Sequence, residues 1–168
     1  MIHALTVGGG ILAICPLPGS DGDYYGDLEH IRGWAPAMVL SLTTEIEMFM
    51  SKSQGLGNDL QDRGTRWLHL PVEDMGIPDA AFMARWPEVS ATARRALTGR
   101  GRVLIHCKGG CGRSGMVALR LMIEAGEAPD EALARLRSVR PCAVETDAQM
   151  RWAMSAERGA ATFVRHSD

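Results

Sequence analysis

Short apolar runs alternate along the chain with longer stretches in which apolar residues recur every three or four positions, and the two periods predict different elements. Runs of strand length fall at Ile2 to Val7, Gly10 to Pro16, Ala37 to Leu42, Arg66 to Leu70 and Arg102 to Cys107. The last is unbroken from Val103 to Ile105, as in a central strand buried on both faces. Helical spacing begins near Asp23, Thr44 and Asp79. The Asp79 segment meets Pro87, which should break or kink it. Its second part spaces Val89, Ala93 and Leu97 on one face and stops at Gly99. Three more helices are predicted: Ser114 to Ala125, one opened by Pro129 that ends before Pro141, and one starting near Thr146 with Met150 and Trp152. Strands alternating with amphipathic helices predict an α/β fold. The expectation is a single domain over residues 1–168, with a central, mostly parallel, twisted sheet flanked by helices.

Composition changes this picture little. With 46% hydrophobic and 23% charged residues, the 168-residue chain has the make-up of an ordinary globular domain. A formal net charge of -2 gives no reason to expect nucleic acid or an anionic membrane surface as partner. An apolar run, Val7 to Ile14, precedes Cys15, but Met1-Ile2-His3 brings no Lys or Arg, and Ile14 stands where a lipoprotein signal needs a small residue. No other stretch approaches membrane-spanning length, so a cytoplasmic chain is expected. The four cysteines, Cys15, Cys107, Cys111 and Cys142, match neither a secreted disulfide framework nor a paired zinc motif, and are expected to be free or catalytic thiols.

The chemistry concentrates in His106-Cys107-Lys108-Gly109-Gly110-Cys111-Gly112-Arg113-Ser114, between the last predicted strand and a predicted helix. A phosphate dianion needs many aligned N–H donors, and a strand–loop–helix turn supplies them from residues 108 to 113 together with the helix's positive end. Gly109, Gly110 and Gly112 suit close backbone approach. Arg113 can add a bidentate fork that a lysine could not reproduce. The loop lacks the Gly-Lys-Ser/Thr ending of a nucleotide-binding loop. The same donors would favour Cys107 as a thiolate, a nucleophile that needs no separate base.

The spacing His106-Cys107-(five residues)-Arg113-Ser114 resembles the signature of the cysteine-dependent protein tyrosine phosphatases. The Gly109-Gly110 pair and the compact size resemble its small dual-specificity branch, which includes the Cdc14-like and kinase-associated phosphatases. The resemblance implies a phosphate-binding loop between a central strand and a helix, and a general acid in a "Pro-x-x-Asp…Pro" loop. Pro71-Val72-Glu73-Asp74-Met75-Gly76-Ile77-Pro78 fits, with Asp74 33 positions before Cys107 and Gly76 as a hinge. Glu73 should then point elsewhere, and Asp79 is more economically a helix N-cap. By the same resemblance Ser114 helps the sulfur leave and His106 orients the loop. Gln149 either positions the hydrolytic water or only closes a Thr146-x-x-Gln149 capping box. Lys108 and Cys111 tune the rim. A Cys107–Cys111 disulfide would shield the nucleophile if the tight loop allowed its geometry.

The expected activity is phosphate monoester hydrolysis through a phosphocysteine, without metal or cofactor. The expected substrate is protein phosphotyrosine, with phosphoserine and phosphothreonine also open. An inositol-phosphate or phosphoinositide phosphatase shares the chemistry, but the loop carries one lysine where such enzymes carry two. A phospho-ligand binding module would usually lose Cys107, Arg113 or Asp74. A sulfurtransferase would need neither Arg113-Ser114 nor Asp74. Tyr24 and Tyr25 are the candidate aromatics for stacking on a phosphotyrosine, in the Asp23 to Ala35 region that, with the loops around Asn58 to Arg63, sets pocket depth.

Overall fold

A computed structural model describes residues 1–160. Its five strands are β1 (His3–Val7), β2 (Gly10–Cys15), β3 (Met38–Ser41), β4 (Arg66–His69) and β5 (Arg102–His106), ordered β1-β2-β5-β3-β4 in one sheet. β1 runs antiparallel to β2, and every other pairing is parallel. All five predicted strands are present, each one or two residues shorter than the apolar run that announced it. Strand β5 lies between β2 and β3, and Val103, Leu104 and Ile105 are wholly buried, as an unbroken apolar run requires.

The two-residue period of the strands divides the core. Leu12 and Ile14 of β2 and Val103 and Ile105 of β5 pack with α4 (Ala80–Thr98), α5 (Gly112–Glu124), α6 (Pro129–Val139) and α7 (Asp147–Met154). Ala13, Cys15, Val39 and Leu104 face the other way, onto α1 (Tyr24–Trp34), α2 (Glu45–Met50) and α3 (Leu56–Gln61). The parallel strands deliver four connections to one edge of the sheet: Pro16–Asp23 after β2, 42–44 after β3, 70–79 after β4 and 107–111 after β5. Crevices at the carboxyl ends of such strands are where open α/β sheets bind ligands.

Two elements differ from the sequence expectation. Helix α4 runs through Pro87 without a break. Its buried stripe, Phe82, Trp86, Val89, Ala93 and Leu97, continues on both sides of the proline, and the Trp86 indole N–H reaches both Glu124 carboxylate oxygens at 3.1 and 3.2 Å. A proline inside a helix costs about 3 kcal/mol, whereas each buried side chain of this size returns about 1.5–3 kcal/mol, so packing decides. Helix α3 falls where the sequence suggested loop. Gly57 is a poor helix former, but it lies beneath Trp67, where a Cβ would come within 2.5 Å of the indole ring, and Gly55 takes the N-cap position. Helix–sheet contact thus overrides local propensity there.

Candidate active site

The loop that leaves β5 is anchored from outside by its carbonyl groups. Lys108 O accepts from the Leu17 N–H (3.1 Å), Gly109 O and Gly110 O accept from the Arg140 guanidinium (2.9 and 3.0 Å), and Cys111 O accepts from the Gly115 and Val144 N–H groups (2.9 and 3.2 Å). Gly110 sits at φ +71°, and a Cβ there would lie 2.7 Å from the Cys15 carbonyl carbon, so glycine is required twice over. The segment behind the loop is strained. Val144 is a β-branched residue at φ +67°, held there by its N–H bond to Cys111 and by Arg137, which donates to the Ala143 and Val144 carbonyls at 2.9 and 3.0 Å.

Strand alternation sets the two residues before the loop on opposite faces. Cys107 points to the α5 side, buried to 2% exposure, with its Sγ 3.2 Å from Ser114 Oγ. His106 points the other way, wholly buried, with Nε2 2.5 Å from Ser41 Oγ and Nδ1 3.3 Å from the Cys107 carbonyl oxygen. Ser41 Oγ already accepts the Trp67 indole N–H at 2.8 Å. Its own hydrogen is therefore available to His106 Nε2, which leaves Nδ1–H to donate to the Cys107 carbonyl. Burial pushes the His106 imidazole down to about 4, outweighing that backbone bond, so the ring is neutral at neutral pH. Trp67, Ser41 and His106 form a relay that fixes the backbone on which Cys107 hangs.

Arg113 is 2% exposed and almost fully engaged. It donates to both Glu47 carboxylate oxygens (2.7 and 2.8 Å) and to the Val72 carbonyl (2.9 Å), and it stands 3.5 Å from an Asp74 oxygen. The sequence reading missed Glu47. Its local signal, Thr44-x-x-Glu47, is a capping box, and it does cap α2, but its reach to Arg113 exists only because β3 and β5 are neighbours. Burial pushes the Glu47 carboxyl up. Arg113, the Thr44 N–H and the Thr44 hydroxyl outweigh that and hold it at about 2, against an ordinary 4.5. Arg113 is in turn held more firmly cationic by Glu47, against the opposing effect of burial.

Asp74 lies where the resemblance placed it, 77% exposed at the edge of the site. It sits in a turn closed by Gly76 N–H to Glu73 O at 2.8 Å, and the positive φ of this turn belongs to Met75 (+61°) and not to Gly76. Asp79 caps α4 by accepting the Phe82 N–H at 2.9 Å. Gln149 is wholly buried, and its carboxamide is engaged at both ends. Its oxygen accepts from Glu145 N (3.0 Å) and Thr146 N (3.2 Å), completing the capping box, and its Nε2 donates to Gly76 O at 3.1 Å. It thereby ties the Asp74 turn to the start of α7.

The cysteines correct one expectation. Cys15 and Cys107 are free, but Cys111 is joined to Cys142 in a disulfide, not to Cys107. The partner comes from the α6–α7 connection, which folds back behind the loop, a return that spacing along the chain does not reveal. Burial pushes the Cys15 thiol up to about 12, leaving it an inert packing group. Lys108 reaches over an open cavity of about 820 Å³ whose lining includes Tyr24, Tyr25, Met50 and Lys52. The two tyrosine rings meet edge to face at 5.3 Å, and the Tyr24 hydroxyl donates to Asp59 at 2.5 Å.

Among the described residues, no helix is long and apolar enough to cross a membrane. The family model for the catalytic domain of dual specificity phosphatases matches residues 24–159. Cyclin-dependent kinase inhibitor 3 of Mus musculus is 30% identical over 135 residues, 77% of this chain and 63% of that protein. The Homo sapiens protein of the same name is 28% identical over 136 residues with the same coverage. The chain thus spans about 63% of the length of these curated relatives. Among solved structures, kinase-associated phosphatase with its catalytic-site cysteine substituted by serine superposes with a TM-score of 0.78. It shares 26% identity, and the match covers 91% of each chain. The active form of Tk-PTP gives a TM-score of 0.69 at 28% identity, over 89% of this chain and 92% of that one.

Proposed function

The chain belongs to the dual specificity phosphatase family, and from that premise we propose that it hydrolyses phosphate monoesters on proteins through a phosphocysteine. The observation that supports this most directly is the convergence on Arg113. One guanidinium in the loop of Cys107 is oriented by Glu47 and lies 3.5 Å from Asp74, a carboxylate from a separate loop. In the first step Cys107 Sγ attacks phosphorus in line, and the ester P–O bond breaks as Asp74 protonates the leaving oxygen. Loop N–H groups from Lys108 through Arg113, and the Arg113 side chain, carry the charge on the non-bridging oxygens. In the second step Asp74 takes a proton from water, whose oxygen displaces the sulfur. Ser114, 3.2 Å from Cys107, donates its hydroxyl hydrogen bond to the departing thiolate. His106, neutral and tied to Ser41, positions the Cys107 backbone and transfers no proton. Gln149, with its carboxamide spent on Gly76, Glu145 and Thr146, positions the acid turn.

The substrate is proposed to be phosphotyrosine and phosphoserine/threonine in protein. An inositol-lipid substrate finds less support, since Lys108 is the loop's one lysine and Cys111 in the second basic position is bound to Cys142. The test is phosphate release from p-nitrophenyl phosphate, phosphopeptides and inositol phosphates in the presence of chelator, beside Cys107→Ser and Asp74→Asn. Release abolished by Cys107→Ser, and slowed by Asp74→Asn most for the poorest leaving group, supports the mechanism. Unchanged turnover by Cys107→Ser sinks it, and tight phospho-ligand binding without release by the native chain would instead mark a binding module.

A further inference from the structure

Apart from the terminal Met1, the large apolar side chains that stand exposed among the described residues are Tyr25, Ile46, Phe49, Met50, Met75 and Ile77. They fall in three short segments, two of them held to Arg113 of the phosphate loop and the third facing a cavity that Lys108 of the loop also lines. Helix α2 is held by the Glu47–Arg113 pair. The acid turn is held by the approach of Asp74 to Arg113 and by the Gly76–Gln149 bond. Tyr25 and Met50 face the cavity that Lys108 and Lys52 also line. The contrast with the rest of the surface is sharp, because the long outer helices α4 and α6 expose no large apolar side chain. On α2, Ile46, Phe49 and Met50 stand at i, i+3 and i+4, one helical stripe, and that stripe faces solvent at 65–75% exposure while Met48 faces the core. Concentrated exposure of this kind marks a contact surface.

We infer that this apolar rim docks the polypeptide on either side of the phosphorylated residue, and that the enzyme selects phosphoprotein segments carrying bulky apolar neighbours. The inference rests on the phosphatase reading above and names the substrate feature that reading leaves open. Charge chooses the occupant. The rim's two lysines, Lys52 and Lys108, are the only ones in the chain, and exposed Glu45, Glu73 and Asp74 stand among the same segments. A polyphosphorylated inositol or an anionic bilayer would bring several negative charges to a surface with no excess of positive ones. A single phosphate on a peptide needs only the loop and Arg113, and its neighbours find apolar side chains to cover.

The deciding comparison uses Phe49→Ser/Met50→Ser, two exposed positions without a partner in the phosphate machinery. The substrates are p-nitrophenyl phosphate, a phosphopeptide with Leu and Phe flanks, the same peptide with Ser flanks, and a phosphoinositide in phosphatidylcholine/phosphatidylserine vesicles. The native chain should prefer the apolar-flanked peptide by about tenfold in kcat/KM. The double variant should lose that preference with unchanged rates on p-nitrophenyl phosphate and the Ser-flanked peptide, since two partly covered side chains are worth about a factor of ten. Equal rates on both peptides by the native chain overturn the inference, as does a preference that survives in the variant. A loss confined to the vesicle substrate also overturns it and makes the rim a membrane surface. Fluorescence anisotropy with Cys107→Ser separates docking from catalysis. Tighter binding of the apolar-flanked peptide there, lost on adding the two rim substitutions, supports docking even if the native chain turned over no substrate.

Discussion

Replacing Glu47 by Gln removes one charge from the most heavily engaged group of the site and keeps the shape. The Gln oxygen can still accept the Thr44 N–H, so the α2 cap survives. Arg113 keeps the Val72 carbonyl, but one of the two oxygens it donates to becomes an NH2 group, a donor that cannot accept from the guanidinium. The displacement of the Glu47 carboxyl from 4.5 to about 2 corresponds, at 1.36 kcal/mol per decade, to roughly 3 kcal/mol of native-state stabilisation. The carboxylate is 19% exposed, and solvent screening brings that to roughly 2 kcal/mol. At this chain length the loss lowers Tm by about 4–8 °C. The sign with pH follows from the depressed carboxyl. Its contribution is complete above pH 4.5, the unfolded value, and disappears as pH falls through about 2. Urea unfolding of the native chain and of Glu47→Gln at about pH 7 and about pH 3 should therefore show a stability gap that narrows to about half or less on acidification. Catalysis should fall too, by about 10- to 100-fold in kcat/KM for p-nitrophenyl phosphate, because the guanidinium loses its orienting partner. A gap of the same size at both pH values refutes the assignment of the stabilisation to the Glu47–Arg113 charge pair.

Three further outcomes are expected. Because burial holds His106 near 4 in the fold against 6.5 unfolded, the unfolded chain takes up the proton first, and stability should fall by about 1.4 kcal/mol for each pH unit of acidification from 6.5 to 4; His106→Asn should flatten that slope in pH-dependent urea titrations. Gly110→Ala should destabilise the fold by about 2 kcal/mol or more and abolish activity, since its Cβ would meet Cys15 at 2.7 Å at a positive φ, while Gly109→Ala, with nothing within 4 Å, should cost less than about 1 kcal/mol; calorimetry compares the two. Cys142→Ser should lower the unfolding free energy from urea titration by up to about 4 kcal/mol, the chain entropy of a bridge spanning 31 residues, and dithiothreitol should reproduce the loss in the native chain but change nothing in the variant.

What was legible in the sequence was what local pattern controls. The five strands, the Asp79 and Thr146 caps and the register of Cys107 and Arg113 each follow from residues close together in the chain, whereas Asp74, 33 positions before Cys107, is reached only through the family resemblance. What escaped depends on tertiary return. Glu47 looks like an ordinary capping residue until β3 is laid beside β5, and Cys142 looks like a spare thiol until the α6–α7 connection folds behind the loop. Helix α4 ignores its proline because an apolar stripe on both sides outweighs one missing hydrogen bond. Gln149 illustrates a third kind of gap. Its capping box was visible beforehand, but the bond to Gly76 joins two segments 73 positions apart, and it is this bond that ties the cap to the acid turn.

The outward anchoring of the loop carries a consequence for what it turns inward. In a planar trans peptide the C=O of one residue and the N–H of the next point in opposite directions, and no cis bond occurs among the described residues. With the carbonyls of Lys108, Gly109, Gly110 and Cys111 fixed on Leu17, Arg140, Gly115 and Val144, the N–H groups of Gly109, Gly110, Cys111 and Gly112 are aimed away from those anchors. None of the four donates to another group among the described residues. The donors are thus oriented before any anion arrives, and the work of holding four peptide dipoles side by side is done by folding rather than by binding. Arg140 is central to that arrangement although its own side chain lies on the far side of the peptide planes.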